Sequence, residues 1–146
     1  MTADQTTVLL LRQWYGVSRS IERQLTETLG RFGLTESAGA ALWALDPAAP
    51  PLTVRDLARI LDCDPSNASL VSTKLEQDGL VQRRPHPVDG RAKVLVLTDR
   101  GQKLLGRLVA EVAALTPLRH LDAVQKRQLS DLLEAVKQVP GMTYAG

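Results

Sequence analysis

Four cationic side chains, Arg83, Arg84, Arg91 and Lys93, fall within eleven residues and meet a single carboxylate, Asp89. Such a density of positive charge suits phosphate oxygens, which charge-assisted hydrogen bonds can hold and Coulomb attraction can gather. Just upstream, Ser66, Asn67, Ser69, Leu70, Thr73, Lys74 and Gln77 share the outer face of one helix by their spacing, with Ala68, Val71, Ser72 and Leu75 on its inner stripe. Groups for covalent chemistry are sparse. Cys63 is the one cysteine, so no intramolecular disulfide or multi-cysteine zinc cluster can be built. His86 and His120 lack a partner at metal-site spacing. No phosphate-cradling glycine loop, nucleophile elbow or HExxH motif occurs, so the sequence is read as having no catalytic site, no metal and no cofactor.

The elements that must position these residues follow from local signals. Thr53 and Asp56 have the form of a capping box, and Val54, Leu57, Ala58 and Leu61 recur at helical spacing. Asp62-Cys63 makes a tight turn, Asp64 is placed as the next N-cap, Pro65 suits the first helical position, and Gly79 supplies a left-handed end. Two short helices with a polar outer face on the second fit a helix-turn-helix, though any αα-hairpin has the same form. Strands over Leu80–Arg84 and Lys93–Leu97 then flank Pro85-His86-Pro87-Val88-Asp89-Gly90-Arg91, where Asp-Gly favours a tight turn. A basic β-ribbon directly after a helix-turn-helix is a wing, able to reach the phosphate backbone or the minor groove.

Flanking helices enclose this unit. Leu10, Trp14, Val17, Ile21, Leu25, Leu29 and Phe32 give an amphipathic helix over roughly 6–30, and Val8, Leu9 and Leu11 add more apolar surface than one intramolecular face requires. Thr35 caps a short helix through Leu45. After Thr98-Asp99, Leu104, Leu105, Leu108, Val112 and Leu115 run to Pro117. Asp122 with Gln125 opens a last helix with Leu129, Leu132, Leu133 and Val136, closed by Pro140-Gly141.

Composition bounds the class. The 146 residues are 44% apolar and 23% charged, which is ordinary for one globular domain. A net charge of +2 decides nothing about partners, but five aromatics argue against single-strand readers that stack bases, leaving duplex as the expected nucleic acid. The start lacks a signal peptide's basic region and no apolar run approaches membrane-spanning length, so a soluble, cytoplasmic protein without a membrane partner is expected.

At Leu75-Glu76-Gln77-Asp78-Gly79-Leu80-Val81-Gln82-Arg83-Arg84-Pro85, Asp89-Gly90-Arg91-Ala92-Lys93 and Leu97-Thr98-Asp99-Arg100-Gly101 the chain resembles the MarR family, bacterial winged-helix transcription factors named for multiple antibiotic resistance. The specific match spans roughly 53–101, and the order of elements agrees along nearly the whole chain. The resemblance implies a mainly α fold with a small β-hairpin wing, in a single domain over 1–146. Within it, 1–33 and 99–146 are dimerisation helices and 35–98 the winged helix-turn-helix. It implies a homodimer on a pseudo-palindromic double-stranded DNA operator, acting as a repressor that a small aromatic or phenolic effector releases.

By the same resemblance, Ser66, Asn67, Ser69, Thr73 and Lys74 are candidates for base or phosphate contact. Arg83, Arg84 and Lys93 are wing cations, Arg91 is a minor-groove arginine, and Asp89 is the carboxylate that orients it. Leu70 stands where many relatives carry Arg or Gly, and Gly90 replaces a frequent Arg; Leu70 suits a thymine methyl or a sugar. Val8, Leu9, Leu11, Leu115, Leu118, Leu129, Leu132, Leu133 and Val136 are assigned to the dimer interface. Trp14 and Trp43 either pack in the core or, with Arg12, Tyr15 and Arg19, line an effector site. Two other readings stay open: a winged-helix module that binds protein instead of an operator, and a redox-sensing regulator acting through Cys63. The wing separates the first, since a protein-binding module has no use for so concentrated a positive charge.

Overall fold

The computed structural model describes residues 4–137; the expected Pro140-Gly141 stop lies outside the described residues. Its elements are α1 (Gln5–Arg31), α2 (Glu36–Ala44), α3 (Val54–Ile60), α4 (Pro65–Gln77), β1 (Val81–Pro85), β2 (Lys93–Leu97), α5 (Asp99–Leu115), a 3-10 turn (Pro117–His120) and α6 (Ala123–Lys137). The fold is therefore mainly α with one antiparallel hairpin, as the sequence predicts.

Local hydrogen bonds account for most boundaries. Asp4 accepts from the Thr7 N–H, Thr35 from Ala38 and Thr98 from Gly101, so three helices begin on a capping side chain. The Asp122 N–H donates to Gln125 Oε1, and the Gln125 N–H returns a bond to Asp122 Oδ1, closing the expected box before α6. At α3 the box is also reciprocal. Asp56 Oδ2 accepts from the Thr53 N–H at 2.9 Å and from its hydroxyl at 2.6 Å, while Thr53 Oγ1 accepts from the Asp56 N–H. These Thr53 bonds, with the Arg59 charge, hold the Asp56 carboxyl below its ordinary value. A native pKa below the unfolded one gives stability that is full above the ordinary aspartate value near ~3.9 and lost as pH falls through the native value. Asp56→Ala should therefore cost about 1 kcal/mol in urea unfolding at pH 7, and less with each step of acidification below about pH 4.

The core sits under the winged unit. Leu42, Leu57, Leu75, Val81, Leu95 and Leu97 are buried together, with Leu52 packed at the edge. Leu52 also accepts a hydrogen bond from the Leu95 N–H at 2.8 Å, adding one bridge to the hairpin where the sequence read only a turn before Thr53. β1 begins at Val81 rather than Leu80. The reason is that Leu80 closes α4: its N–H donates to the Leu75 carbonyl and that of Gly79 to Glu76, with Gly79 at φ +71°, a Schellman end.

A smaller cluster of Leu29, Leu108 and Val112 joins the last turns of α1 to α5, sealed by an Arg31–Glu111 ion pair. The first four turns of α1 lie beyond it, and Leu9, Leu10, Leu11, Trp14 and Val17 are exposed. The amphipathic stripe was read correctly as a face, but only its C-terminal third is covered by this chain.

Candidate nucleic-acid interface

α3 and α4 meet at a turn in which Asp62 takes φ +49° and the Cys63 N–H reaches the Ala58 carbonyl. α4 then starts on Pro65, and Asp64, though extended like an N-cap, makes no side-chain capping bond. The Ser66 and Asn67 N–H groups are consequently without a partner among the described residues, in the half of the helix where its dipole favours an anion. Ser66, Asn67, Leu70 and Lys74 are exposed, whereas Ser69 and Thr73 are half-buried. Lys74 Nζ lies 2.9 Å from Asp78 Oδ1 along the helix surface, an exposed pair of small energetic weight that a phosphate can displace.

The wing cations divide in two. Arg83 turns inward: its Nε lies 3.3 Å from Glu76 Oε2 and its Nη2 donates to Thr73 Oγ1 at 3.4 Å, both on α4. Its Nε is buried and paired by charge without an aligned hydrogen bond. This side chain fastens the wing to α4. Arg84, Arg91 and Lys93 are exposed and, among the described residues, their charged groups meet no acid.

The expected tight Asp-Gly turn is present at the tip, closed over Gly90 and Arg91 by the Ala92 N–H donating to the Asp89 carbonyl at 3.0 Å. β1 and β2 pair from Val81–Leu97 to Pro85–Lys93, so residues 86–92 form a longer loop. It is organised by His86, whose Nδ1 accepts from the N–H groups of Val88 and Asp89, both at 3.1 Å, and whose own N–H donates to the Ala92 carbonyl. Within that turn Gly90 stays outside the left-handed region. Asp89 Oδ1 accepts from the Arg91 backbone N–H at 3.1 Å; it holds that backbone, and the Arg91 guanidinium itself is unpaired. The role of His86 was missed. Its only sequence signal was a histidine set between Pro85 and Pro87 ahead of Asp-Gly.

The two tryptophans are not core residues. Trp14 is 60% exposed and Trp43 47% exposed, because each stands on the part of its helix that no other element covers. They also belong to different grooves. Trp43 and Arg19 line one of about 960 Å³ between α1 and α2, together with Arg23 one turn further along α1. Trp14 lines another of about 730 Å³ with Leu118, Leu129, Leu133 and Val136. Tyr15 stacks beneath the Arg19 guanidinium at 6.0 Å, and Arg12 is exposed away from either groove. Val8, Leu9, Leu11, Leu115, Leu118, Leu132 and Val136 are exposed, and Leu129 and Leu133 half-buried, so apolar surface remains at both ends of the chain. Cys63 is half-buried beside Asn67 and Leu70. Among the described residues no cluster of metal-ligating side chains occurs, and no helix is long and apolar enough to cross a membrane.

Residues 34–93 match the MarR family. No curated protein matches the chain. Among solved structures, CouR from Rhodococcus jostii RHA1, bound to p-coumaroyl-CoA, is 23% identical with a TM-score of 0.71, covering 97% of this chain and 95% of that one. Sco3205, a MarR family transcriptional regulator from Streptomyces coelicolor in complex with DNA, is 23% identical with a TM-score of 0.71, over 98% of this chain and 92% of its own. The MarR family protein Rv2887 of Mycobacterium tuberculosis, in complex with DNA, is 29% identical with a TM-score of 0.64, over 92% and 98%.

Proposed function

We propose that the chain, whose residues 34–93 match the MarR family and whose fold is that of solved MarR regulators, is a homodimeric repressor binding a pseudo-palindromic duplex operator. The observation that carries this reading is the fastening of the wing to α4 by Arg83, beside three cations whose charges meet no acid and a helix face of small polar groups. α4 enters the major groove with Ser66, Asn67, Leu70 and Lys74 foremost, and the open N–H groups of its first turn suit a phosphate. Arg84 and Lys93 meet the backbone, and Arg91 reaches the minor groove. Residues 1–33 and 99–146 pair the two copies through their uncovered apolar faces, and two-fold symmetry sets half-sites about one helical turn apart. Bound between promoter elements, such a dimer occludes polymerase.

Release by a small aromatic or phenolic effector fits the groove between α1 and α2, where Trp43 offers a ring and Arg19 and Arg23 offer positive charge. CouR, with the same fold, was solved with p-coumaroyl-CoA bound. As a switch, the effector must bind the DNA-incompetent arrangement more tightly than the competent one.

The test is Arg91→Ala, titrated by fluorescence anisotropy on duplex from upstream of the protein's own coding sequence. Operator affinity should fall by about 1–3 kcal/mol with the dimer intact. Unchanged affinity removes the wing from the mechanism.

A further inference from the structure

Leu70 is 69% exposed in the middle of α4, on the face it shares with Ser66, Asn67 and Lys74. After the opening Pro65, every other outward position of that helix is polar or charged, so Leu70 is the one apolar side chain that face presents. It also stands apart from the exposed apolar residues of α1, α5 and α6. The groove beside Leu70, lined by Ile60, Val71 and Cys63, leaves it standing at the rim, where it stays in water in the free protein. Within the proposed DNA-binding reading, on which this inference rests, the same face is the one that docks in the major groove.

Among the groups a major groove presents, only the thymine C5-methyl is apolar; the others are hydrogen-bond donors and acceptors that a leucine cannot satisfy. A leucine pressed against a polar base edge would strip water from it without replacing the lost bonds, so its contact also discriminates against the other bases. We propose that Leu70 is a specificity-determining residue that selects a thymine at one symmetry-related position in each half-site by packing on its methyl group. Asn67 and Lys74, one turn to either side, supply polar contacts that fix the helix in register over that base pair.

The experiment selects sites from a randomised duplex library with the full-length protein, then replaces each selected thymine by uracil, which removes the methyl alone. Wild type and Leu70→Ala are titrated on each duplex; the substitution is at an exposed position, and matching thermal midpoints confirm that both are folded. At one thymine per half-site the wild type should lose about fourfold in affinity on uracil replacement, the value of one buried carbon. Leu70→Ala should lose less than half as much there, and both proteins should respond alike elsewhere. Equal losses for the two proteins at every thymine, or selected sites without a symmetric thymine pair, overturn the proposal while leaving DNA binding intact. A library that yields no enriched site overturns it together with the operator reading beneath it.

Discussion

A chain carrying Leu11→Asp together with Leu132→Asp should sediment as a monomer of 15.9 kDa, and its operator affinity should collapse. The two leucines are 63% and 66% exposed in the single chain, so neither charge disturbs packing within it. In the proposed dimer both would be buried without partners, a cost of several kcal/mol that the interface could not absorb. Losing the second half-site removes the avidity of two linked contacts, worth about 10²- to 10⁴-fold. The winged unit, whose core of Leu42, Leu57 and Leu75 lies within one chain, should keep its helical circular dichroism. A double variant that still sediments at twice the chain mass would show that the copies pair through some other surface.

Gly101→Ala, where α5 leaves the winged unit, should be the most damaging glycine-to-alanine change among the described residues. Gly101 is the third residue of α5, and a Cβ there would overlap the Leu80 carbonyl oxygen, a backbone atom that cannot rotate away. That oxygen already accepts from the Thr98 N–H at 3.0 Å, and Thr98 Oγ1 donates to the Gly79 carbonyl at 2.6 Å. Relief of the clash therefore breaks the joint between the end of α4, the start of β1 and the start of α5. Helix propensity favours alanine by about 1 kcal/mol, but overpacking against backbone and a lost hydrogen bond together cost about 3–4 kcal/mol, so the clash wins. Gly106→Ala, in the same helix with nothing within 4 Å of the added carbon, should instead raise stability by about 0.5–1 kcal/mol. Urea unfolding at one protein concentration compares them; equal midpoints would mean that α5 does not press on the Leu80 turn.

How far the molecule can be read from its sequence depends on the range of the force that decides each feature. Thr35, Thr53, Thr98 and Asp122 mark helix starts because a cap is satisfied within three residues, and Gly79 marks an end because few residues tolerate its φ. The winged helix-turn-helix was legible for that reason, and its family motifs with it. Features decided across the fold were not. Nothing near Leu52 announces its bond to Leu95, and Arg83 reads like Arg84 until Glu76 is seen to lie beside it on α4. Likewise, periodicity puts Trp14 and Trp43 on apolar stripes but cannot say whether this chain covers those positions, and both stand exposed. At the wing tip the tight Asp89-Gly90 turn is legible from its own residues, but the ring of His86 that organises the loop around it, through the Val88 and Asp89 N–H groups, is not.

Reading of a specific duplex is the property on which the proposed function stands. Its most direct test is an anisotropy titration of the wild type on labelled duplex from upstream of its own coding sequence, against random duplex of equal length, across a salt series. Binding to the upstream duplex should be at least about 10³-fold tighter at physiological salt, at one dimer per site, with both affinities falling as salt rises. Equal, weak and equally salt-sensitive binding to both duplexes would contradict it.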